Sequence, residues 1–574
     1  MLDLAAEIPL RARRVVELGC GRGETGEAFL RLQPGADYWG AEISREAVRA
    51  AATRLPHAIC ALPEQVDFGS WGLYEADALI LREPYLAGLT AERLQEWASI
   101  ISEEGQLLIE LPHAGYVRRV MEQLAARENV PALPTLGEIQ ELAKAVGFAE
   151  LQVTELMEDE ADRELRESPE MARFLAGFVD LCHCLDWTVS TNVWACAYFL
   201  RLSRREIPVS RRLLVHTMLG ETIVTARARV YDPGNAVRTE MGVGAVAERG
   251  GYHPELDRGY GQVAIVRQRL HYTSYEQAFQ TVAALRSMGQ LIVTENDDNP
   301  WFFEKEQEDS HGLDFACSHA VQVSTGVIAD MVRPFNPHVR VFANQLKELP
   351  PRRDYAREQL RHAQAGGPAP VTIFFGALNR TSEWQDIMPA LNEAARRYGD
   401  RLRFKVLSDR GFYEALETEA KEFVTEEGRD YGGQFVSYEL YQQTLHASDI
   451  SLLPLRDTEF NRAKSDLKFI ESAGHGAVVL ASPVVYEQTV RDGCTGFIYR
   501  NQREFAARLT LLVEDEVRRR EMAEAAYGYV RRERLLCQHY LERLDWYREL
   551  FERLPELDRA LAQRLEQAEK ERRA

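Results

Sequence analysis

The sequence predicts an α/β protein built from several units with mostly parallel sheets. Three observations carry that expectation. Short apolar, β-rich runs alternate with longer amphipathic stretches almost from end to end: Val15–Leu18, Ala78–Leu81, Gln106–Leu111, Ala195–Leu200, Leu213–Thr217, Gln262–Arg267, Leu291–Thr294, Val371–Phe375, Arg403–Leu407, Ile450–Leu455 and Ala477–Ala481. The 574 residues exceed what one core uses, and at about 150 residues per domain they make three to four units. With 45% apolar and 28% charged residues, the composition is that of an ordinary globular protein, which excludes wholesale disorder, collagen-like repeats and a disulfide-stapled miniprotein.

Charge and cysteine usage narrow the class. Lys+Arg is 69 against Asp+Glu 89, a net charge of -20. That balance argues against a nucleic-acid binder that relies on bulk attraction to phosphates. The eight cysteines are scattered, as in a reducing cytosol. The first residues lack the apolar core of a signal peptide, and no run approaches the ~20 apolar residues of a membrane span. A cytoplasmic protein with at most peripheral membrane contact is expected. Cys182-His183-Cys184 has no second pair at ligand spacing, so no metal is expected.

Residues 15–29 read VVELGCGRGETGEAF. An apolar strand ends in Glu17 and Leu18, and Gly19, Gly21 and Gly23 form a loop that opens a helix. Glycines let the backbone turn sharply there and let a ligand approach. About 20 residues on, YWGAEIS ends a second strand at Glu42, where a carboxylate can take both hydroxyls of a ribose. These residues resemble the class I S-adenosylmethionine-dependent methyltransferases, over about residues 10–203. The likeness includes ADALILREPY, EEGQLLIELP and the ending LPTLGEIQELAKAVGFAELQVTEL. The resemblance implies that Gly19, Gly21 and Gly23 line the methionine and ribose part of S-adenosylmethionine, that Glu42 binds the ribose and that Glu17 supports the loop. On the acceptor side, Glu83 and His113 are candidate general bases, with loop capping as the alternative.

A new strand–helix series starts near Ile207, after the basic turn Leu202–Pro208. It runs through QVAIVRQRLHY and GQLIVTENDDNPWFF to a linker around Arg352–Pro370. Another begins at VTIFFGALNRTSEW and ends in FNRAKSDLKFIESAGHGAVVLAS and a Gly-x-x-Gly-Phe segment at 493–497. This half, about 207–530, resembles the GT-B glycosyltransferases, specifically the retaining, family-four-like branch that uses nucleotide-sugar donors. By that resemblance Glu471 sits at the start of a helix and holds the donor ribose, and Gly376 lets the backbone admit the diphosphate. Arg380, Lys468 and Lys464 neutralise it, and the helix N-terminus near Ser465-Asp466 adds amide donors. Lys468, Glu471 and Arg380 are the catalytic candidates. The family's second glutamate, eight positions before Glu471, is Ala463 here, which bears on how the sugar is held. Asp297 and Asp298, and less strongly His271 and Arg269, are acceptor-side candidates, a turn being the alternative for Asn-Asp-Asp. The Gly242/Gly244 stretch reads as a mobile loop.

The fold expected is therefore three Rossmann-like domains, a methyltransferase fold followed by a two-domain GT-B fold. The expected boundaries are 1–205, 206–365 and 366–535, with a charged helical tail, 536–574, solvated or loosely docked. Neither side of the 202–208 seam is expected to need a strand from the other. The function implied is a bifunctional enzyme that transfers a sugar from a nucleotide sugar and methylates a glycan, lipid-linked glycan or protein acceptor in surface polysaccharide or glycoprotein synthesis. The alternative is a glycosyltransferase whose first domain is inactive and serves for docking or dimerisation.

Overall fold

The computed structural model describes residues 3–113, 116–124, 133–157, 164–185, 193–220, 226–249, 252–301, 312–355, 357–358, 360, 370–377, 381–426 and 436–573. Contacts divide the chain into two compact units, 1–212 with 238–243, and 213–237 with 244–574.

The first unit is built on seven strands: β1 (Arg14–Leu18), β2 (Asp37–Glu42), β3 (His57–Cys60), β4 (Ala76–Leu81), β5 (Ile101–Pro112), β6 (Glu150–Met157) and β7 (Ala195–Ser203). Their order is β3-β2-β1-β4-β5-β7-β6. β1 to β5 are parallel, and β7 lies antiparallel between β5 and β6. Val15, Val16 and Leu18 are all buried, as a central parallel strand covered on both faces requires. The strand order reverses between β1 and β4, which opens a crevice at their C-terminal ends.

The boundary between the units is not one crossing at 202–208. Segment 238–243 belongs to the first unit, where Leu10 N–H donates to Thr239 Oγ1 (3.2 Å) and Arg201 donates to the Arg238 carbonyl (2.7 Å). The buried Glu7 carboxylate takes both Arg201 (3.0 Å) and Arg238 (2.6 Å). Sequence periodicity carries no sign of this, because the segment is a short turn.

The second unit holds two six-stranded sheets. One comprises β8 (Leu213–Leu219), β9 (Val243–Arg249), β10 (Gln262–Gln268), β11 (Leu291–Asn296), β12 (Ala320–Val323) and β13 (Val339–Val341), in the order β13-β12-β11-β10-β8-β9. The other comprises β14 (Val371–Gly376), β15 (Leu402–Leu407), β16 (Lys421–Val424), β17 (Ile450–Leu453), β18 (Val478–Ala481) and β19 (Gly496–Ile498), in the order β16-β15-β14-β17-β18-β19. The three sheets are of the α/β class expected, each mostly or wholly parallel among the described residues. The stretch read as a mobile loop around Gly244 is β9, an edge strand whose glycines and alanines disguise its pattern. Among the described residues no helix is long and apolar enough to cross a membrane.

The tail is not loosely docked. Helices Gln502–Glu514 and Glu516–Glu533 cover the last sheet, with Leu509, Leu512 and Met522 in its core. The chain then crosses back, and helices Tyr540–Glu552 and Leu554–Arg573 cover the sheet of β8–β13. Leu557 and Leu561 are fully buried, Leu561 among Leu214, Val263 and Ile265. Asp558 takes Arg286 (2.7 Å) and His319 (3.0 Å), and Arg564 donates to the Ser318 carbonyl (2.7 Å). A leucine stripe at four-residue spacing shows which helix face is apolar but not what covers it. Leu561→Ala is expected to destabilise the second unit by about 2–5 kcal/mol. Urea denaturation measures this, and a change within the error of the wild type would mean the helix contributes no core.

Candidate functional sites

In the first unit, loop 19–23 leaves β1 at the crevice and enters helix Glu24–Leu32. Gly19 has φ 93°, and a Cβ there would lie 2.8 Å from the Glu83 carbonyl oxygen. Gly21 has φ 55° with nothing within 4 Å of a Cβ, so the space above it is open. Glu42 fastens the loop. Its Oε2 accepts from Gly21 N–H (3.0 Å), and its Oε1 accepts from the backbone N–H groups of Ile43 (2.8 Å) and Ser44 (3.3 Å). A carboxylate has about four lone-pair sites, so these three bonds leave room for a ligand hydroxyl.

Beneath the loop, Glu17 is fully buried. It accepts from Tyr38 Oη (2.8 Å) and Arg82 Nη1 (3.3 Å), and Arg82 Nε also reaches Glu110 (2.6 Å). Burial lifts the Glu17 carboxyl to about 7, against the opposing pull of Arg82 and Tyr38. The acceptor-side candidates diverge. Glu83 is exposed. His113 is buried, with Nδ1 on the Ala195 carbonyl (2.9 Å) and Nε2 on Tyr198 Oη (3.1 Å). Both of its ring nitrogens are engaged, which is the contact pattern of the capping alternative.

In the second unit, helix Leu467–Gly474 carries Lys468 and Glu471. Glu471 lies in the helix's second turn, not at its start, so it is held by neighbouring side chains and not by free amides. Its Oε2 accepts from Tyr441 Oη (2.8 Å) and its Oε1 from Tyr438 Oη (3.3 Å). Lys468 Nζ stands 5.5 Å from the Tyr441 ring centroid, and the Arg227 guanidinium 4.2 Å from that of Tyr438. Burial raises the Glu471 carboxyl, and Lys468 opposes that. The helix starts at Asp466, which Arg534 grips (2.8 Å to Oδ1), while Ser465 Oγ accepts from Asn344 Nδ2 (2.8 Å).

Gly376 ends β14 as expected, and Arg380 lies outside the described residues. Lys464 reaches Asp298 (3.4 Å), Arg269 binds Asp297 (2.7 Å) and His271 binds Asp314 (2.6 Å). Asn296 Oδ1 also accepts from Asp298 N–H (3.0 Å), an Asx-type turn. Asp298 is thus brought to the helix-467 region by Lys464, while His271 is turned to Asp314. Ala463 is fully buried among Phe315, Val323 and Ile328, where a glutamate's charge would be unfavourable unless paired. Among the described residues no three His, Cys, Asp or Glu side chains gather as a metal site; the side chains of Cys182 and His183 lie outside them.

Sequence reasoning missed Tyr438, Tyr441, Arg227, Asn344 and Arg534. The signal for the tyrosines was available, since residues three apart behind the N-cap Ser437 share one helix face.

Residues 385–545 match the family model described as glycosyl transferase-like. A curated relative, trans-aconitate 2-methyltransferase of Afipia carboxidovorans, is 42% identical over 57 residues, 10% of this chain. The chain spans about a fifth (22%) of that relative's length. Among solved structures, a glycosyltransferase from Rickettsia africae is similar at 11% identity and TM-score 0.40, over 59% of this chain and 99% of that one. A S-adenosylmethionine-dependent methyltransferase from Thermotoga maritima, described as a possible histamine N-methyltransferase, is similar at 14% identity and TM-score 0.25, over 35% and 89%.

The Glu17 carboxyl has an ordinary value of 4.5 and is raised to about 7 in the fold. The stability it contributes is therefore full below pH 4.5 and lost as pH rises through 7. Glu17→Gln keeps an acceptor for Tyr38 and Arg82, and should flatten the fall in melting temperature between about pH 5 and 8. Parallel pH profiles for variant and wild type would contradict this assignment.

Proposed function

We propose that the chain is a two-site transferase that builds and methylates one class of glycan. The observation that carries the glycosyl half is the Tyr438–Tyr441–Glu471–Lys468 cluster inside the segment that matches the transferase family. In this reading Glu471 holds the donor ribose while its tyrosines keep the carboxylate in place. Lys468 and Lys464, with Arg380, neutralise the diphosphate as it leaves, and Gly376 admits it at the end of β14. The amides that open helix Leu467–Gly474 add donors to the phosphates. Asp297 and Asp298 take hydroxyls on the acceptor side, and the transfer retains the anomeric configuration. In this reading the domains are 1–205, 206–365 apart from segment 238–243 (which packs with the first), 366–535, and the helical tail 536–574.

For the first unit, the open space over Gly21 beside Glu42 supports an adenosine-type ligand, and the residues present fit S-adenosylmethionine, which supplies the methyl group. Glu42 orients the ribose and Glu17 holds the loop. A second reading has one observation in its favour. His113 is fully engaged by Ala195 and Tyr198, which suits a first unit that binds or docks without catalysing. Methyl transfer to a glycan, measured with labelled cofactor, separates the two.

Gly21→Val fills the open space and strains a left-handed position. It should abolish binding of S-adenosylmethionine and S-adenosylhomocysteine by calorimetry. Wild-type protein giving no heat with either ligand would sink the cofactor assignment. Lys468→Ala should lower kcat by about 10–1000-fold with a smaller change in KM, because its charge matters most as the phosphate leaves. Glu471→Ala should instead weaken nucleotide binding. An inverted anomeric product, read by NMR, contradicts the retaining assignment.

A further inference from the structure

The second unit holds a cavity of about 190 Å³ against one face of the sheet β8–β13. Strands β8, β9 and β10 and residues 229–237 form its walls, and helix Tyr540–Glu552 contributes Arg543 and Tyr547. Val215, Val266 and Ala247 make one side apolar. None of its lining residues belongs to the cluster around Glu471.

The charges around this cavity do not balance. Arg229 is 2% exposed and gives Nε to Glu295 Oε1 (2.7 Å) and Nη1 to the Phe342 carbonyl (2.6 Å) and Asn344 Oδ1 (2.9 Å). Its Nη2 has no hydrogen-bond partner. Arg543 also lies on Glu295, with Nη1 4.0 Å from an Oε2 that accepts no hydrogen bond. Tyr547, its hydroxyl on Gln322 (2.8 Å), is held neutral by burial, which lifts it to about 12. Among the described residues two guanidiniums therefore share one carboxylate, leaving a single excess positive charge. Among the described residues the charged ones lining the cavity are Arg229 and Arg543. Arg543 Nη1 donates to the Arg229 carbonyl (3.3 Å), a neutral acceptor; a buried charge without a full counter-charge is unfavourable, and an anion in the adjoining space removes that penalty.

The geometry points to a binding site for a small aliphatic carboxylate. One negative charge restores balance, whereas a phosphate dianion would leave an excess of the opposite sign. The apolar wall formed by Val215, Val266 and Ala247 suits a short alkyl chain and gives a halide nothing to contact. Arg543 also borders a larger cavity of about 300 Å³, where Glu533 and Glu542 stand beside Arg534 and His539 and already balance the guanidiniums. The head group therefore rests on Arg543 on the side that carries no acid.

The test uses the full chain in carboxylate-free buffer at constant ionic strength, titrated by calorimetry with sodium acetate, propionate and butyrate. One-to-one binding is expected, with affinity rising about fourfold per methylene and inorganic phosphate binding at least tenfold more weakly. Ala247→Leu fills the space beside the alkyl chain and should weaken butyrate at least tenfold. Arg543→Met, which removes the excess charge, should do the same while leaving the melting temperature equal or higher. If Arg543→Met does not fold, Ala247→Leu decides alone. No heat with the wild type, phosphate binding as tightly as butyrate, or undiminished butyrate binding by Ala247→Leu would each overturn the proposal.

Discussion

The grip of Arg534 on Asp466 is the constraint on which the second unit's site depends. Arg534 is nearly buried, and its guanidinium spans both Asp466 oxygens while donating to the Asn344 carbonyl (2.9 Å). Asp466 opens the helix that carries Lys468 and Glu471, so this fork sets where the helix begins. The two crossings of the chain meet here as well. Leu346 N–H donates to the Arg534 carbonyl (2.9 Å), and Leu536 N–H donates to that of Leu346 (2.8 Å). The outgoing segment and the returning segment are thus hydrogen-bonded to each other beside helix Leu467–Gly474. Bidentate, desolvated Arg–carboxylate pairs have little freedom in direction, which suits a joint that must hold one register.

From that joint the network continues through side chains. Asn344 donates to Ser465 and accepts from Arg229, which is bound to Glu295 at the end of β11. The first turn of helix Leu467–Gly474 is therefore tied to a strand of the other sheet by a chain of direct contacts. Each buried carboxylate along the way is stabilised differently. Glu295 has guanidinium partners, whereas Glu471 has tyrosine hydroxyls with Lys468 nearby. Hydroxyl donors bring no counter-charge, so burial holds the Glu471 carboxyl above its ordinary range against the pull of Lys468.

The first unit uses the same chemistry for a different end. Glu17 is fixed by Tyr38 and Arg82 under the glycine loop, and Glu42 binds the loop's own amide. Glu42 thus holds the loop from its side, and the space over Gly21 stays open. A rigid floor with an open face is what preorganised binding of a flat, polar ligand requires.

Much of this was determined by the sequence alone. Runs such as Val15–Leu18 and Ala477–Ala481 are strands because local apolar pattern and β-branching act over a few residues. The glycine loop and Glu42 were visible because their geometry follows from a strand end and a turn. What only the tertiary structure decided depends on residues far apart in the chain. The covering for the Leu557–Leu561 face comes from strands some 300 residues earlier. The tyrosines on Glu471 lie about 30 residues before it. Arg229, Glu295 and Arg543 meet across three segments with no common pattern. Periodicity reports which face of an element is apolar, but partner choice is a property of packing, and packing is settled only when the whole chain has closed on itself.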